Sequence, residues 1–237
     1  MRAGIVSPMR RRLALAAAAS LAFGLSGCGS DAESANPSTA LATARTTLDS
    51  ATAVTLDLKS DQAIPSGHNG VSAAKGTGIV DATTPKFKGT VTAVIEGAPF
   101  NGDVITIGDT TWMTLFGAGY TEVDVAELGA PDPGSFFRPE SGLSSLLAEV
   151  GSPAGGEEER YGREVLAKYT GTVPGSVVKN LLNLGTPEAS FDAEFGILPE
   201  TGELRTAELT GPFYETGDST YTLVLTDYGT TIDIAEP

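Results

Sequence analysis

The chain has 237 residues with 15 Lys and Arg against 30 Asp and Glu, a formal net charge of −15. That balance repels the phosphates of nucleic acid and excludes nucleic-acid binding as a main activity. With 41% hydrophobic residues, 29 glycines and 14 prolines, the composition excludes a disordered chain and suits one turn-rich, β-rich domain.

The N-terminal residues carry Arg2, Arg10, Arg11 and Arg12 ahead of an apolar run over residues 13–25. This run is shorter than the ~20 residues a membrane-spanning helix needs, so residues 1–27 read as a signal peptide. It closes on Leu25-Ser26-Gly27-Cys28, which resembles the bacterial lipobox. The resemblance implies cleavage before Cys28 and lipidation of that residue. Cys28 is the only cysteine, so no disulfide forms within the chain. Two or three acyl chains suffice for stable anchoring, which predicts a protein held on the extracytoplasmic face of the cell membrane. Residues 28–40, small and polar, read as a lipidated flexible tether, and residues 41–237 as a single domain.

Residues 37–51 place Leu41, Ala44, Leu48 and Ala51 at helical spacing, with Ser38 available as a cap. Val54, Leu56 and Leu58 then alternate with Thr55, Asp57 and Lys59 before a turn at Pro65-Ser66-Gly67. Strand patterns follow at residues 75–82, 86–96, 99–107, 110–116, 163–172, 189–197, 202–210, 219–226 and 230–235, and antiparallel pairing is the natural solution. The longest sets Phe87, Gly89, Val91, Ala93 and Ile95 on one face, with Val94 breaking the alternation. Residues 142–150, with Leu143, Leu146 and Leu147, and residues 176–184, with Val177, Val178, Leu181 and Leu182, are expected to be helices packed on the sheet. Glu157-Glu158-Glu159 reads as a solvated loop.

Catalytic constellations are missing. His68 is the only histidine, which rules out a multi-histidine zinc site and leaves no base for a Ser-His-Asp triad beyond a turn residue read as exposed. Ser176-Val177-Val178-Lys179 fits S-x-x-K, but the S-D-N and K-T-G companions are absent. Glu122, Asp124 and Glu127 read as surface acids. No cofactor or metal is implied, and no enzyme is expected.

Several segments taken together resemble the LppX/LprG (LppX-LprAFG) group of mycobacterial-type lipoproteins. They are the lipobox at Cys28, AVTLDLKSD, GTVTAVIEG, FNGDVITIGDTTW, and DPGSFFRPESGLSSLL over residues 132–147. The last is similar to the family's D-P-x-x-x-x-N-P-[DE]-x-G-L-x-x-L-L, with Arg138 where Asn is frequent. Residues 199–209 resemble its strand-turn-strand hairpin.

The resemblance implies an α+β, β-rich fold: a strongly curved antiparallel half-barrel with helices packed on one face, enclosing a large apolar cavity, similar in shape to LolA and LolB. It implies a monomeric, membrane-anchored carrier of acylated lipids, glycolipids or lipoglycans, with an envelope lipid exporter as partner. The residues expected against the ligand are Gly89, Val91, Ala93, Ile95 and Val104 as floor and Leu143, Leu146 and Leu147 as roof. The competing reading is a cell-surface interaction module whose core is filled by its own side chains.

Overall fold

The computed structural model describes residues 36–114, 117 and 119–237. The signal peptide, Cys28 and the tether as far as residue 35 lie outside the described residues, as do Leu115, Phe116 and Ala118.

The first element is α1 (Pro37–Ser50), whose buried face is Ala40, Leu41, Ala44 and Leu48. Asn36 caps it, its Oδ1 accepting from the Thr39 N–H at 3.3 Å, and Pro37 opens the first turn, where its missing N–H needs no partner. The cap is therefore Asn36 rather than Ser38. Residues 37–40, read from the sequence as tether, form the first helical turn, and Ala40 is already in the core.

One antiparallel sheet holds eleven strands among the described residues. β1 (Ala53–Ser60), β2 (Gly70–Ile79), β3 (Lys86–Ile95), β4 (Ala98–Ile107), β5 (Thr110–Thr114) and β6 (Tyr120–Val123) form one meander. β7 (Gly151–Tyr161), β8 (Glu164–Pro174), β9 (Ser190–Ile197), β10 (Leu204–Tyr214) and β11 (Gly217–Thr226) form a second. The chain starts in the middle of the sheet, walks out to β6 at one edge, crosses to β7 at the other, and walks back until β11 lies beside β1. β6 and β7 do not pair, so the sheet is an unclosed half-barrel.

This order forces the segment between β6 and β7 to cross the width of the sheet. The segment carries a 3-10 turn (Ser135–Phe137) and the single turn α2 (Ser145–Ala148). α3 (Gly175–Leu182) joins β8 to β9 and ends at Asn183 in the left-handed conformation, φ 56°. Leu41 of α1, Leu146 of α2 and Leu181 of α3 all enter one core with the inward residues of the sheet, so the helices share a face.

Three sequence-based expectations change. The acidic run Glu157-Glu158-Glu159 is part of edge strand β7, which pairs only with β8 and leaves its own side chains in solvent. No strand forms at 230–235; the tail instead inserts Ile234, which is buried, and Lys86 Nζ donates to its carbonyl at 3.0 Å. The helix expected over 142–150 is only the four residues of α2.

Glycine matters most where β2 meets β3. Gly76 and Gly89 are register partners, and a Cβ on either would come within 2.7 Å of the Phe87 ring. A Cβ on Gly78 would overlap the Phe137 ring in the same way. The bare backbone lets the two rings lie flat on the sheet, stacked with centroids 6.0 Å apart.

Candidate functional site

The concave face of the sheet and the crossing segment enclose two apolar cavities, of about 40 and 20 Å³. Val91, Ala93 and Ile95 of β3 and Val104 of β4 line the larger one, with Leu56 and Leu58 of β1 beside them. They are placed there by strand alternation, the odd-numbered residues of β3 turning inward. The crossing segment roofs this space with Val125, Ala130, Pro131, Pro133 and Phe136. Leu143 and Leu146 wall the smaller cavity, opposite Leu181 of α3 and Leu209 of β10. Leu56, Leu58, Phe136, Leu182 and Tyr221 belong to the walls of both.

Six of the residues expected from the sequence thus meet around this interior, and two do not. Gly89 gives no space to a ligand, because the Phe87 ring lies over it. Leu147 is buried but faces α1, sharing a surface groove with Leu41 and Arg45. Cys28 lies outside the described residues. The sequence reading missed Phe136, Leu182 and Tyr221 as walls common to both cavities. Phe136 stood in the family-like segment, but nothing in its spacing marked which way it points.

The interior is narrower than the resemblance implies. A cavity of about 150 Å³ admits a benzene ring, so the larger space here, at about 40 Å³, admits no acyl chain unless its roof moves. The polar atoms near it are satisfied internally. Thr111 Oγ1 and Thr106 Oγ1 bond each other at 2.9 Å, and the Tyr221 hydroxyl donates to the Val71 carbonyl at 2.8 Å. Burial, reinforced by Tyr214, holds the Tyr221 phenol protonated far above the ordinary tyrosine range.

Asp132 is the titratable group of the roof whose ionisation the fold disturbs. Burial raises its pKa, against the Gly134 N–H it accepts at 2.9 Å and the nearby Arg138; Asp109 adds to the rise. A carboxyl with a raised folded-state pKa binds more protons folded than unfolded. Its contribution to stability therefore falls as pH rises from the ordinary Asp value through the raised one. Asp132→Asn is expected to remove that component: the difference in urea midpoint between variant and wild type should change across this interval and be flat above it. Parallel midpoints at every pH would show the carboxyl to be unperturbed.

The remaining polar candidates do not assemble. Ser176 is exposed at the start of α3, while Lys179 Nζ donates to the Asn183 carbonyl at 3.1 Å at its other end. His68 is half-buried rather than exposed, edge-on to Tyr214 with centroids 5.6 Å apart. Glu122, Asp124 and Glu127 are solvated, and Asp124 Oδ1 accepts from the Ala126 and Glu127 N–H groups of its own turn. Among the described residues no helix is long and apolar enough to cross a membrane.

An open curved sheet, covered on its apolar face by its own crossing segment, defines a half-barrel protein built around an apolar interior. The LppX_LprAFG lipoprotein family matches residues 36–234, and the chain belongs to that family. Its fold is similar to that of LprF from Mycobacterium bovis, at 12% identity over 85% of this chain and 96% of that one, with a TM-score of 0.72. It is similar also to the Mycobacterium tuberculosis lipoprotein LppX, at 17% identity over 84% of this chain and 97% of that one, with a TM-score of 0.61. No curated protein matches the chain.

Proposed function

We propose that this protein is an envelope lipoprotein, anchored through Cys28, that takes the acyl chains of a lipid or glycolipid between sheet and crossing segment and carries them without catalysis. The observation that carries this reading is the continuous apolar floor of Val91, Ala93, Ile95 and Val104 beneath a roof made of connecting chain. Each CH₂ is worth about 0.8 kcal/mol against water but little against a bilayer, so exchange between membrane and interior is near balance and reversible. The carrier works by parting its roof from its floor, and an envelope lipid exporter is the fitting partner.

One observation favours the competing reading, an interaction module with a filled core: the cavities are small. Native mass spectrometry of the full chain, extracted from membranes, decides between them. The carrier is expected to bring lipid with it, and a wild type without lipid supports the filled core. Val91→Trp adds an indole where about 40 Å³ is free. It is expected to cost about 1–3 kcal/mol by overpacking and to abolish lipid co-purification. A destabilised variant that still carries its lipid overturns the cavity assignment.

A further inference from the structure

Among the described residues two large apolar side chains stand exposed, and both belong to one hairpin tip. They are Tyr161, 42% exposed, at the end of β7, and Val165, 39% exposed, at the start of β8. Val165 lies opposite Arg160 and Tyr161 opposite Glu164, so strand alternation puts one apolar residue on each face of the tip. The pairing of β8 with β9 ends at Ala167 opposite Ile197, which leaves residues 160–165 with no further strand beside them. The tip also departs from the acidic balance of the chain. Glu164 is taken up by Arg205 at 2.8 Å, while Arg160 and Arg163 are exposed and form no ion pair among the described residues. The chain enters the domain along this same edge, since Ser38 and Leu41 of α1 wall a groove with Pro153 of β7. From Pro153 to Tyr161 is eight residues of strand, about 26 Å at most. From Cys28 to Asn36 is again eight residues, about 29 Å when fully extended. A bilayer that holds Cys28 by its acyl chains is therefore within range of the tip.

We propose that the β7–β8 tip is a second membrane contact, in which Tyr161 and Val165 enter the headgroup region of the bilayer and Arg160 and Arg163 meet lipid phosphates, a reading that rests on the anchoring through Cys28 proposed above. Tyrosine suits that depth, with an apolar ring and a polar end that stays wet. Arginine does too, because its stem packs on apolar groups while its guanidinium bonds phosphate with two N–H groups at once. Glu157, Glu158 and Glu159 set the limit of entry. Their carboxylates lie two to four residues behind Tyr161 and stay in water, so the turn enters and the strands do not. An anionic leaflet repels most of this acidic chain and attracts it where two unpaired arginines project. The anchor fixes the distance of the domain from the membrane, and the tip turns its β7 edge toward the lipid.

The test uses the full lipidated chain in vesicles of dioleoyl phosphatidylcholine and dioleoyl phosphatidylglycerol that carry an acceptor dye on their lipid. A donor dye is placed at Glu159→Cys, beside the tip but outside the contact, or at Asp218→Cys, at the exposed start of β11 and the opposite end of the sheet. Cys28 is the chain's sole cysteine and its thiol is taken by the lipid, so the new cysteine is the one that reacts. Energy transfer to the bilayer is expected to be several-fold higher from 159 than from 218. Tyr161→Ser combined with Val165→Ser, both at exposed positions, is expected to bring the two levels together. Arg160→Gln combined with Arg163→Gln, or added salt, is expected to lower transfer from 159. Equal transfer from both positions without these substitutions overturns the contact and leaves the anchor standing, and so does a preference that survives the serine pair. Transfer unchanged by the glutamine pair overturns the role of the arginines. A preference that vanishes when the protein is diluted in the vesicles assigns the tip to a second copy of the chain and overturns the bilayer as its partner. Failure of the protein to float with the vesicles removes the anchor and the contact with it.

Discussion

Phe136→Ala is expected to lower the melting temperature by about 6–20 °C and to speed lipid uptake. Phe136 is 7% exposed and belongs to the walls of both apolar cavities. Truncating a buried phenylalanine costs about 3–5 kcal/mol, and each kcal/mol moves the midpoint of a domain of this size by about 2–4 °C. The backbone around it remains tied, since the Leu143 N–H donates to the Phe136 carbonyl at 2.9 Å whatever the side chain. The loss is therefore one of packing, and the space released enlarges the apolar interior that both cavities belong to. Calorimetry checks the first half, and the uptake rate of a fluorescent acyl probe the second. A midpoint within a degree or two of wild type would show that Phe136 is not packed into the walls of the interior.

Cys28→Ser is expected to move the protein from the membrane fraction to the soluble one. One acyl chain gives only marginal binding and two or three give stable anchoring, so removing the acceptor residue changes the distribution almost completely. Cys28 is the chain's sole cysteine, so no second thiol can substitute for it. Fractionation followed by mass analysis of the N-terminal peptide reads both lipid and location. Unchanged membrane association of the variant would sink the anchoring proposal.

Strands that bury one face were legible in the sequence: β1, β3, β9 and β11 bury every second residue over most of their length. β7 was not, because an edge strand with both faces in solvent needs no alternation, and its glycines and acids resemble those of a loop. The tail deceived in the opposite sense, since one inserted isoleucine among polar residues looks like a strand pattern. Leu146 and Leu147 could not be told apart, because assigning faces by helical spacing assumes a full helix and α2 is one turn. Gly89 was expected in the floor against a ligand, yet what lies over it is the ring of Phe87, two residues away on the same strand. Alternation says which face a residue joins and not what lies over it. The curvature itself came from likeness to a family and not from any periodicity.

The meeting of β1 with β11 in the middle of the sheet also governs how the protein is made. Residues of β1 emerge from the ribosome among the first of the domain, and the strand that completes their pairing, from Ser60 opposite Tyr221 to Thr55 opposite Thr226, emerges among the last. Contacts this distant in sequence close slowly. Until they close, β1 exposes the backbone of Leu56 and Leu58 along an unpaired edge, the kind of template on which chains aggregate. The seam at the centre of the finished sheet is thus the weak point of its biogenesis, and a helper that shields this segment in the nascent chain would act there rather than at the edges β6 and β7.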